Sequence, residues 1–110
     1  MPRHPKDLLH GTLDVLVLRT LADGPMHGYG ITRAIEARSG DVLPIEDAAL
    51  YKALRRLEAI GAIDSQWGVS DNNRRARFYR LTARGRRELQ AEADTWRRFA
   101  AAIHGVLGKS

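Results

Sequence analysis

The stretch from residue 47 to residue 85 constrains the fold most, because its periodicity changes from helical to alternating at a single glycine. Before Gly61, apolar residues three or four positions apart line one face of a helix: Leu50, Leu54, Leu57 and Ile60. After Gly61, alternation at period two predicts two strands that share one half-buried face: Ile63, Ser65, Trp67, Tyr79 and Leu81. The run 68–73 between them is rich in turn-forming residues. This order predicts a helix followed by a β-hairpin, and Thr82 is suited to cap a further helix.

Apolar spacing predicts two more helices before this unit. They cover about residues 8–21, with Asp7 as a suitable N-cap, and about residues 28–39. The predicted fold class is therefore mainly α with a small β-hairpin, arranged as a winged helix-turn-helix domain over residues 1–81. A C-terminal helix follows over residues 82–110 and is predicted to serve dimerisation.

The chain is basic and contains no cysteine. Its 110 residues are enough for one domain, and 18 Lys and Arg residues against 13 Asp and Glu residues give a net charge of +5. Seven arginines cluster around the predicted hairpin: Arg74, Arg75, Arg77, Arg80, Arg84, Arg86 and Arg87. This clustering favours a polyanionic partner over a charge that serves solubility alone. The absence of cysteine excludes disulfides, zinc fingers and thiol catalysis.

Several other classes of protein are not expected. No apolar run approaches the roughly 18 residues of a membrane span, and the first residues lack the apolar stretch of a signal peptide, so a cytoplasmic location is expected. No nucleophile–base pair, facing carboxylates or phosphate-binding loop indicates an enzyme. The histidines lack the i, i+4 spacing of a metal site, so no metal or cofactor is expected.

The third predicted helix, 46–60, carries small and basic residues on the face opposite its leucines: Ala48, Ala49, Lys52, Arg55 and Arg56. Small residues allow a helix to approach the floor of a major groove, and the cations can then reach base edges or phosphates. Taken alone, this face is equally typical of an ordinary solvated helix.

The basic hairpin tip, the wing at 68–77, favours DNA. Arg74 and Arg75 would lie where they can hold the DNA backbone or enter the minor groove. A basic tip can also protect a strand edge from pairing with another chain. A basic helix face followed by a basic wing makes DNA the preferred interpretation.

Motifs along nearly the whole chain carry a family resemblance. They are Gly11-Thr12-Leu13, the run 24–29 (GPMHGY), the run 49–54 (ALYKAL) with Arg56-Leu57-Glu58, the run 72–82 (NNRRARFYRLT) and Gly85-Arg86. In content and order they resemble the PadR family of bacterial transcriptional regulators, in its compact branch with a single short C-terminal helix. The resemblance implies a homodimeric winged-helix repressor that binds an inverted-repeat operator.

The residues expected to contact DNA combine the helix face, the wing and the family motifs: Tyr29, Ala49, Tyr51, Lys52, Arg55, Arg74, Arg75 and Arg77. Two positions depart from the family pattern. Ala49 stands where the family usually has Ser or Thr, and Lys52 stands where it often has Pro. An operator sequence therefore cannot be borrowed from relatives.

The C-terminal helix carries an apolar stripe with steps of four and three residues, formed by Leu89, Ala93, Trp96, Ala100, Ile103 and Leu107. With a second line of apolar residues beside it, the stripe is wider than a small winged helix needs to cover. Burial against a second copy of the chain is therefore predicted, and packing on the first helix of the same chain is the alternative. The resemblance implies both contacts.

Trp96, with Phe99, suggests a ligand site. Some members of the family that the chain resembles bind planar aromatic compounds at the dimer centre, where an aromatic residue of the terminal helix stacks on the ligand. A small planar aromatic effector is therefore one interpretation of this pair. Plain packing at the dimer interface is the simpler interpretation and is favoured, because tryptophan on an apolar helix stripe commonly serves that purpose.

A winged helix that contacts only other proteins remains as the alternative function, because a fold does not dictate its use. Modules of that kind usually lack a basic surface on both helix and wing. Lys52, Arg55, Arg74 and Arg75 supply such a surface here, so sequence-specific DNA binding is preferred.

Overall fold

The computed structural model describes residues 12–108 of the chain. In this part four helices and three strands follow in the order α1 (Leu13–Leu21), β1 (Met26–His27), α2 (Gly28–Arg38), α3 (Asp47–Ala59), β2 (Ile63–Val69), β3 (Arg75–Leu81) and α4 (Ala83–Leu107). The predicted fold class is confirmed, and the sheet has one strand more than expected. The predicted start of the first helix at Leu8 and its cap at Asp7 lie outside the described residues.

The core lies between α1, α2, α3 and the inner end of the hairpin. Its most deeply buried large side chains are Val17, Leu18, Ile31, Leu50, Leu54 and Ile63. One residue assigned to this face of α3 does not belong to it. Ile60 is 41% exposed, because α3 ends at Ala59 and Ile60 is already the C-cap residue. Ala53, which lies between Leu50 and Leu54 in the sequence, is also fully buried and belongs to this face.

The unexpected strand is β1, which has two residues. Met26 pairs with Tyr79 and His27 with Phe78, so β3 lies in the middle of an antiparallel sheet of order β1–β3–β2. Two residues are too few for any alternation to be read from sequence. The strand ties the start of α2 to the hairpin and thereby sets their relative position.

The hairpin is longer than the sequence indicated. β2 extends to Val69 and β3 begins at Arg75. A tight turn joins them, in which the Ser70 N–H donates to the Arg74 carbonyl oxygen at 2.8 Å and Asn73 takes a positive φ of 62°. Asparagine tolerates this conformation better than most residues.

The prediction that Trp67 lies on a half-buried face of the strand was wrong. Ile63, Tyr79 and Leu81 are buried as expected, but Trp67 on the same face is 55% exposed. The hairpin leaves the body of the domain beyond Ser65, so the alternating pattern continues where no core remains to be covered.

α4 begins at its predicted cap. The Thr82 hydroxyl oxygen accepts a hydrogen bond from the Gly85 N–H at 3.0 Å, and the hydroxyl donates to the Ala62 carbonyl oxygen at 2.9 Å. Gly85 is buried so closely against Ala62 that a Cβ atom would collide with this carbonyl oxygen. α4 then packs on the core through Leu89 and lies against α1 of the same chain.

No helix within residues 12–108 combines the length and the apolar character that crossing a bilayer requires.

Candidate nucleic-acid interface

A cleft of about 890 Å³ lies between the hairpin on one side and the start of α2 with α3 on the other. Four aromatic residues line it: Tyr29, Tyr51, Trp67 and Tyr79. Four arginines line it as well: Arg33, Arg74, Arg75 and Arg77. Five of the eight residues that the sequence assigned to DNA contact therefore meet here, from three separate elements. An aromatic and cationic cleft of this kind suits a sugar–phosphate backbone.

The first turn of α2 is held in place by its own side chains. His27 Nδ1 accepts a hydrogen bond from the Gly30 N–H at 3.0 Å, which caps the helix. The Tyr51 ring lies against Gly28, where any Cβ atom would meet the Tyr51 hydroxyl. Glycine at this position lets α3 dock closely on the start of α2, and this contact orients Tyr51 in the cleft.

Tyr29 projects from this turn into solvent. Its hydroxyl oxygen accepts a hydrogen bond from Arg33 Nη1 at 2.8 Å, and the Arg33 guanidinium lies 5.7 Å from the centre of the ring. The sequence interpretation missed Arg33. Its signal was available, because residues four positions apart share one face of a helix.

The exposed face of α3 contains two cations that face solvent. Lys52 and Arg55 form no ion pair within residues 12–108. Arg55 lies four positions after Tyr51 and therefore on the same side of α3, next to the cleft that Tyr51 lines, and its charge acts against the larger effect of burial on the Tyr79 hydroxyl. Burial nevertheless raises the pKa of Tyr79, because it disfavours the phenolate, so Tyr79 stays neutral and keeps its hydroxyl proton.

Two residues predicted on this exposed face behave differently. Ala49 is half-buried and packs against the core, so its methyl group is not freely presented to a groove. Arg56 is directed away from the cleft: its Nη2 lies 2.7 Å from Asp14 Oδ1, which ties α3 to α1. Sequence spacing grouped Arg56 with Lys52 and Arg55 on one face of the helix, because spacing cannot show which exposed residues meet a neighbouring helix.

Arg75 and Arg77 stand on the inner face of the wing beside Trp67. The Arg75 guanidinium lies 4.5 Å from the centre of the Trp67 ring and that of Arg77 lies 6.0 Å away, both within the range of a cation–π contact. Arg74 lies at the turn and is exposed, with no ion pair in the described part of the chain.

Arg77 links the wing to α3. Its Nε donates to the Ser65 hydroxyl oxygen at 2.8 Å, and this hydroxyl donates to Glu58 Oε2 at 2.7 Å. The Arg77 Nη2 also lies 3.7 Å from Glu58 Oε2. Ser65 and Glu58 were missed from sequence, since nothing in a strand pattern shows which helix residue its side chains will meet.

The α4 stripe divides into two parts. Leu89, Ala93 and Ala100 are half-buried by the chain itself. The remaining members are exposed, Trp96 and Ile103 to 44% each and Leu107 to 74%, and Phe99 beside them is 60% exposed. The distal half of α4 thus presents large apolar side chains that residues 12–108 do not cover.

Residues 17–91 match the family described as the transcriptional regulator PadR-like family. The chain belongs to this family. A transcriptional regulator of Mycobacterium tuberculosis is 33% identical over 89 residues, which cover 81% of this chain and 79% of that protein. The structure of this chain is similar to that of a transcriptional regulator of Clostridium thermocellum. The two align with a TM-score of 0.83 and 27% sequence identity, over 94% of this chain and all of the other.

A second solved structure of this fold was determined with DNA. Bacillus subtilis PadR in complex with operator DNA aligns with a TM-score of 0.65 and 24% identity, over 74% of this chain and 46% of that one. At this identity the likeness shows a shared fold. Membership of the PadR-like family confirms the resemblance seen in the motifs, and it makes the chain a transcriptional regulator and not an enzyme.

Proposed function

We propose that the chain is a homodimeric repressor that binds an inverted-repeat operator, with α3 (46–60 in the sequence prediction) in the major groove and the wing at 68–77 on the adjacent backbone. The observation that carries this proposal is the cleft. It brings aromatic side chains of α2 and α3 and basic side chains of α2 and the wing to one side of the molecule, and Lys52 and Arg55 are exposed on the helix that supplies Tyr51 to it.

The two cations of α3 are suited to reading base edges. Arginine and lysine can donate to the O6 and N7 acceptors of guanine in the major groove, and such contacts discriminate between bases. Lys52 and Arg55 face solvent and need not leave a protein partner to do so. Ala49, being half-buried, would limit steric bulk near the groove without making a polar contact.

The wing and the start of α2 are suited to holding phosphates. Arg74 and Arg75 stand at the tip and inner face of the hairpin, and Tyr29 faces them across the cleft with its hydroxyl bound to Arg33. Contacts to phosphates fix the position of a protein on DNA but carry little sequence information. Arg77 contributes differently, because its bonds to Ser65 and Glu58 fix the wing relative to α3.

The exposed distal half of α4 supports the proposed homodimer. Trp96, Ile103 and Leu107 would be buried by the same face of a second copy related by a two-fold axis. Such a dimer reads an inverted repeat because each recognition helix meets an equivalent half-site. Half-sites about one helical turn apart, roughly 34 Å, are within reach of a helix as long as α4. Repression follows if the bound dimer excludes polymerase from the promoter.

The first experiment compares DNA containing the upstream region of the chain's own gene with scrambled DNA of the same composition. Fluorescence anisotropy would follow the purified protein on labelled duplexes over a salt series. An advantage for the upstream region that persists as salt rises is the expected result. Equal, steeply salt-dependent affinity for both duplexes would contradict sequence-specific binding to this region. A lack of binding to both would favour the alternative of a protein-interaction module.

Single substitutions then test the reading surface. Arg55→Ala is expected to lower affinity and to blur base preference, at a cost of about 1–3 kcal/mol. Arg74→Ala and Arg75→Ala are expected to weaken all duplexes and to flatten the salt slope by about one unit each. Arg80→Ala is the matched control, because Arg80 pairs with Asp64 on the outer face of the hairpin. An equal loss in Arg80→Ala would contradict the assignment of the cleft as the binding surface.

The exposed aromatic pair on α4 carries the effector hypothesis as a second candidate role. Trp96 and Phe99 are both exposed and lie three positions apart on α4, so they share a face that could stack on a small planar aromatic compound at a dimer centre. Quenching of tryptophan emission by such compounds, lost in Trp96→Leu and kept in Trp67→Leu, would support it. No response across a broad panel would leave dimer packing as the role of Trp96.

A further inference from the structure

Trp67 is a large aromatic residue in an unusual place. It lies on β2 in the exposed part of the hairpin, it is 55% exposed, and it lines the same cleft as Tyr29 and Tyr51. An isolated exposed tryptophan stabilises a domain little, because much of its apolar surface stays in water. The body of the domain therefore gives no sufficient reason for tryptophan at this position.

The neighbours of Trp67 indicate what the ring does. Arg77 is its direct partner across the antiparallel pair, and Arg75 is the diagonal neighbour on the same face. Arg75 makes the closer approach, with its guanidinium carbon 4.5 Å from the ring centre. A guanidinium at this distance from an indole is held by the ring quadrupole and loses part of its rotational freedom.

The same contacts connect the wing tip to the recognition helix. Glu58 of α3 accepts from Ser65, Ser65 accepts from Arg77, and Arg77 lies within cation–π range of Trp67. Arg75 is the outermost member of this series of contacts. Its partner among the described residues is a ring and not a carboxylate. A cation held by a neutral ring keeps its full charge available to an anion, whereas an ion-paired cation must first release its carboxylate.

We propose that Trp67 is a positioning residue for DNA binding: its indole ring holds the Arg75 guanidinium in the cleft, ready to bind a backbone phosphate. The inference rests on the proposed function and adds a residue that acts through Arg75. A pre-oriented arginine gives up less conformational freedom on binding than a free one, so affinity rises without any further contact. The same chemistry predicts that an aromatic residue is needed at position 67.

A double-mutant cycle tests whether Trp67 acts through Arg75. Trp67→Leu is expected to weaken binding to the operator duplex about threefold to tenfold, in line with the loss of a cation–π contact. Trp67→Phe keeps a ring and should recover part of this loss. In the Arg75→Ala background, Trp67→Leu should change affinity less than about twofold, since nothing is left to be positioned. Gln66→Ala is the control, because Gln66 is exposed on the same strand but on the face opposite to Trp67 and Arg75.

The cycle separates positioning from a purely structural role. A residue that merely stabilises the hairpin would weaken binding by the same factor with and without Arg75, and full additivity would overturn the inference. If Trp67→Leu fails to fold, as judged by circular dichroism, the same cycle is run with Trp67→Thr, which suits a strand but has no ring. Additivity in that cycle would overturn the inference in the same way.

A second measurement needs no DNA and separates this inference from the proposed function. The chain has two tryptophans, so Trp96→Phe leaves Trp67 as the single emitter. In that background, Arg75→Ala should change the emission of Trp67 and make it more accessible to acrylamide. No change in either would overturn the stack itself. A further outcome is that the fluorescence shows the stack while Arg75→Ala leaves the affinity for every duplex unchanged. That pair of results would mean that Arg75 does not bind DNA, and it would overturn both the wing assignment in the proposed function and the positioning role of Trp67.

Discussion

The winged helix and the distal half of α4 differ in what covers their apolar side chains. In the winged helix, Val17 is fully buried and Leu54 is 1% exposed, both covered by other elements of the same chain. In α4 beyond Trp96, Val106 is 88% exposed and Leu107 is 74% exposed. Both regions carry large apolar side chains, but only the first has its own core.

This difference separates two sources of stability. The winged helix is stabilised by burial within one chain, so its free energy of unfolding should not depend on protein concentration. The distal half of α4 gains little until a partner covers it, and any stability it acquires from a second copy should rise with concentration by mass action. Sequence periodicity cannot distinguish the two cases, because it reports an apolar face and not what covers it.

Truncation before Trp96 is expected to have the largest effect, because it removes most of the uncovered face and leaves the core intact. The shortened chain should be monomeric by analytical ultracentrifugation. Its affinity for an inverted-repeat duplex should fall by about 10²- to 10⁴-fold, since two linked half-site contacts become one. Circular dichroism would verify that the winged helix still folds. A truncated chain that stays dimeric would contradict the proposed role of α4.

A matched pair of leucines sharpens the comparison. Leu54→Ala should lower the free energy of unfolding by about 2–5 kcal/mol, because it leaves a cavity in the core. Leu107→Ala should leave the unfolding of the monomer unchanged and weaken self-association. Chemical denaturation at two protein concentrations measures both effects. Equal losses in the two variants at low concentration would mean that Leu107 is covered within its own chain.

Two glycines of α4 provide a second pair, with a smaller effect. Gly85→Ala places a Cβ atom against the Ala62 carbonyl oxygen, and relieving the collision should cost about 1–3 kcal/mol. Gly105 has open space around its Cβ position, so Gly105→Ala should stabilise the helix by up to about 1 kcal/mol. Thermal unfolding measures both. If Gly105→Ala instead weakened dimers, the partner would have to approach α4 closely at that residue.

Much of the fold could be predicted because its signals are local. Thr82 caps α4, Gly61 follows the end of α3, and the leucine face of α3 is buried, each as its pattern indicated. These features depend on residues a few positions apart, where backbone geometry decides the outcome. β1 was missed because a strand of two residues has no pattern of its own. It is a strand only because it pairs with Tyr79 and Phe78 of β3.

The sequence assigned eight residues to DNA contact, and the structure brings five of them to one cleft, but the sequence did not indicate the contacts between side chains there. Tyr29, Tyr51 and the wing arginines line this cleft, and they were grouped from sequence because the family motifs and the charge pattern single out the elements that carry them. The tie from Arg56 to Asp14 and the stack on Trp67 join positions that sequence spacing does not relate. Pairing between elements depends on how they pack, so it becomes visible only once the packing is known.

Glu92 offers the smallest test, at the point where α4 leaves the covered region. Burial raises the pKa of Glu92 above its usual range, and the nearby carboxylates of Asp14 and Glu88 add to this effect. Arg56 lies on the other side of Asp14 and pairs with it. A raised pKa means that the folded chain holds this proton more tightly than the unfolded chain. Stability should therefore fall as the pH rises from the ordinary pKa of glutamate through the raised one.

Glu92→Gln removes this titration and should make the chain modestly more stable than the parent at about pH 7, with the difference closing near pH 4. Glu88→Gln is the control, since Glu88 acts on Glu92 as a minor cause and should shift the same profile less. The measurement is urea denaturation across this pH range, at a concentration low enough to keep the chain monomeric. A parent and a Glu92→Gln variant with parallel profiles would mean that this turn of α4 is solvated instead of resting on α1. The boundary between the self-covered and the uncovered region would then lie closer to Leu89.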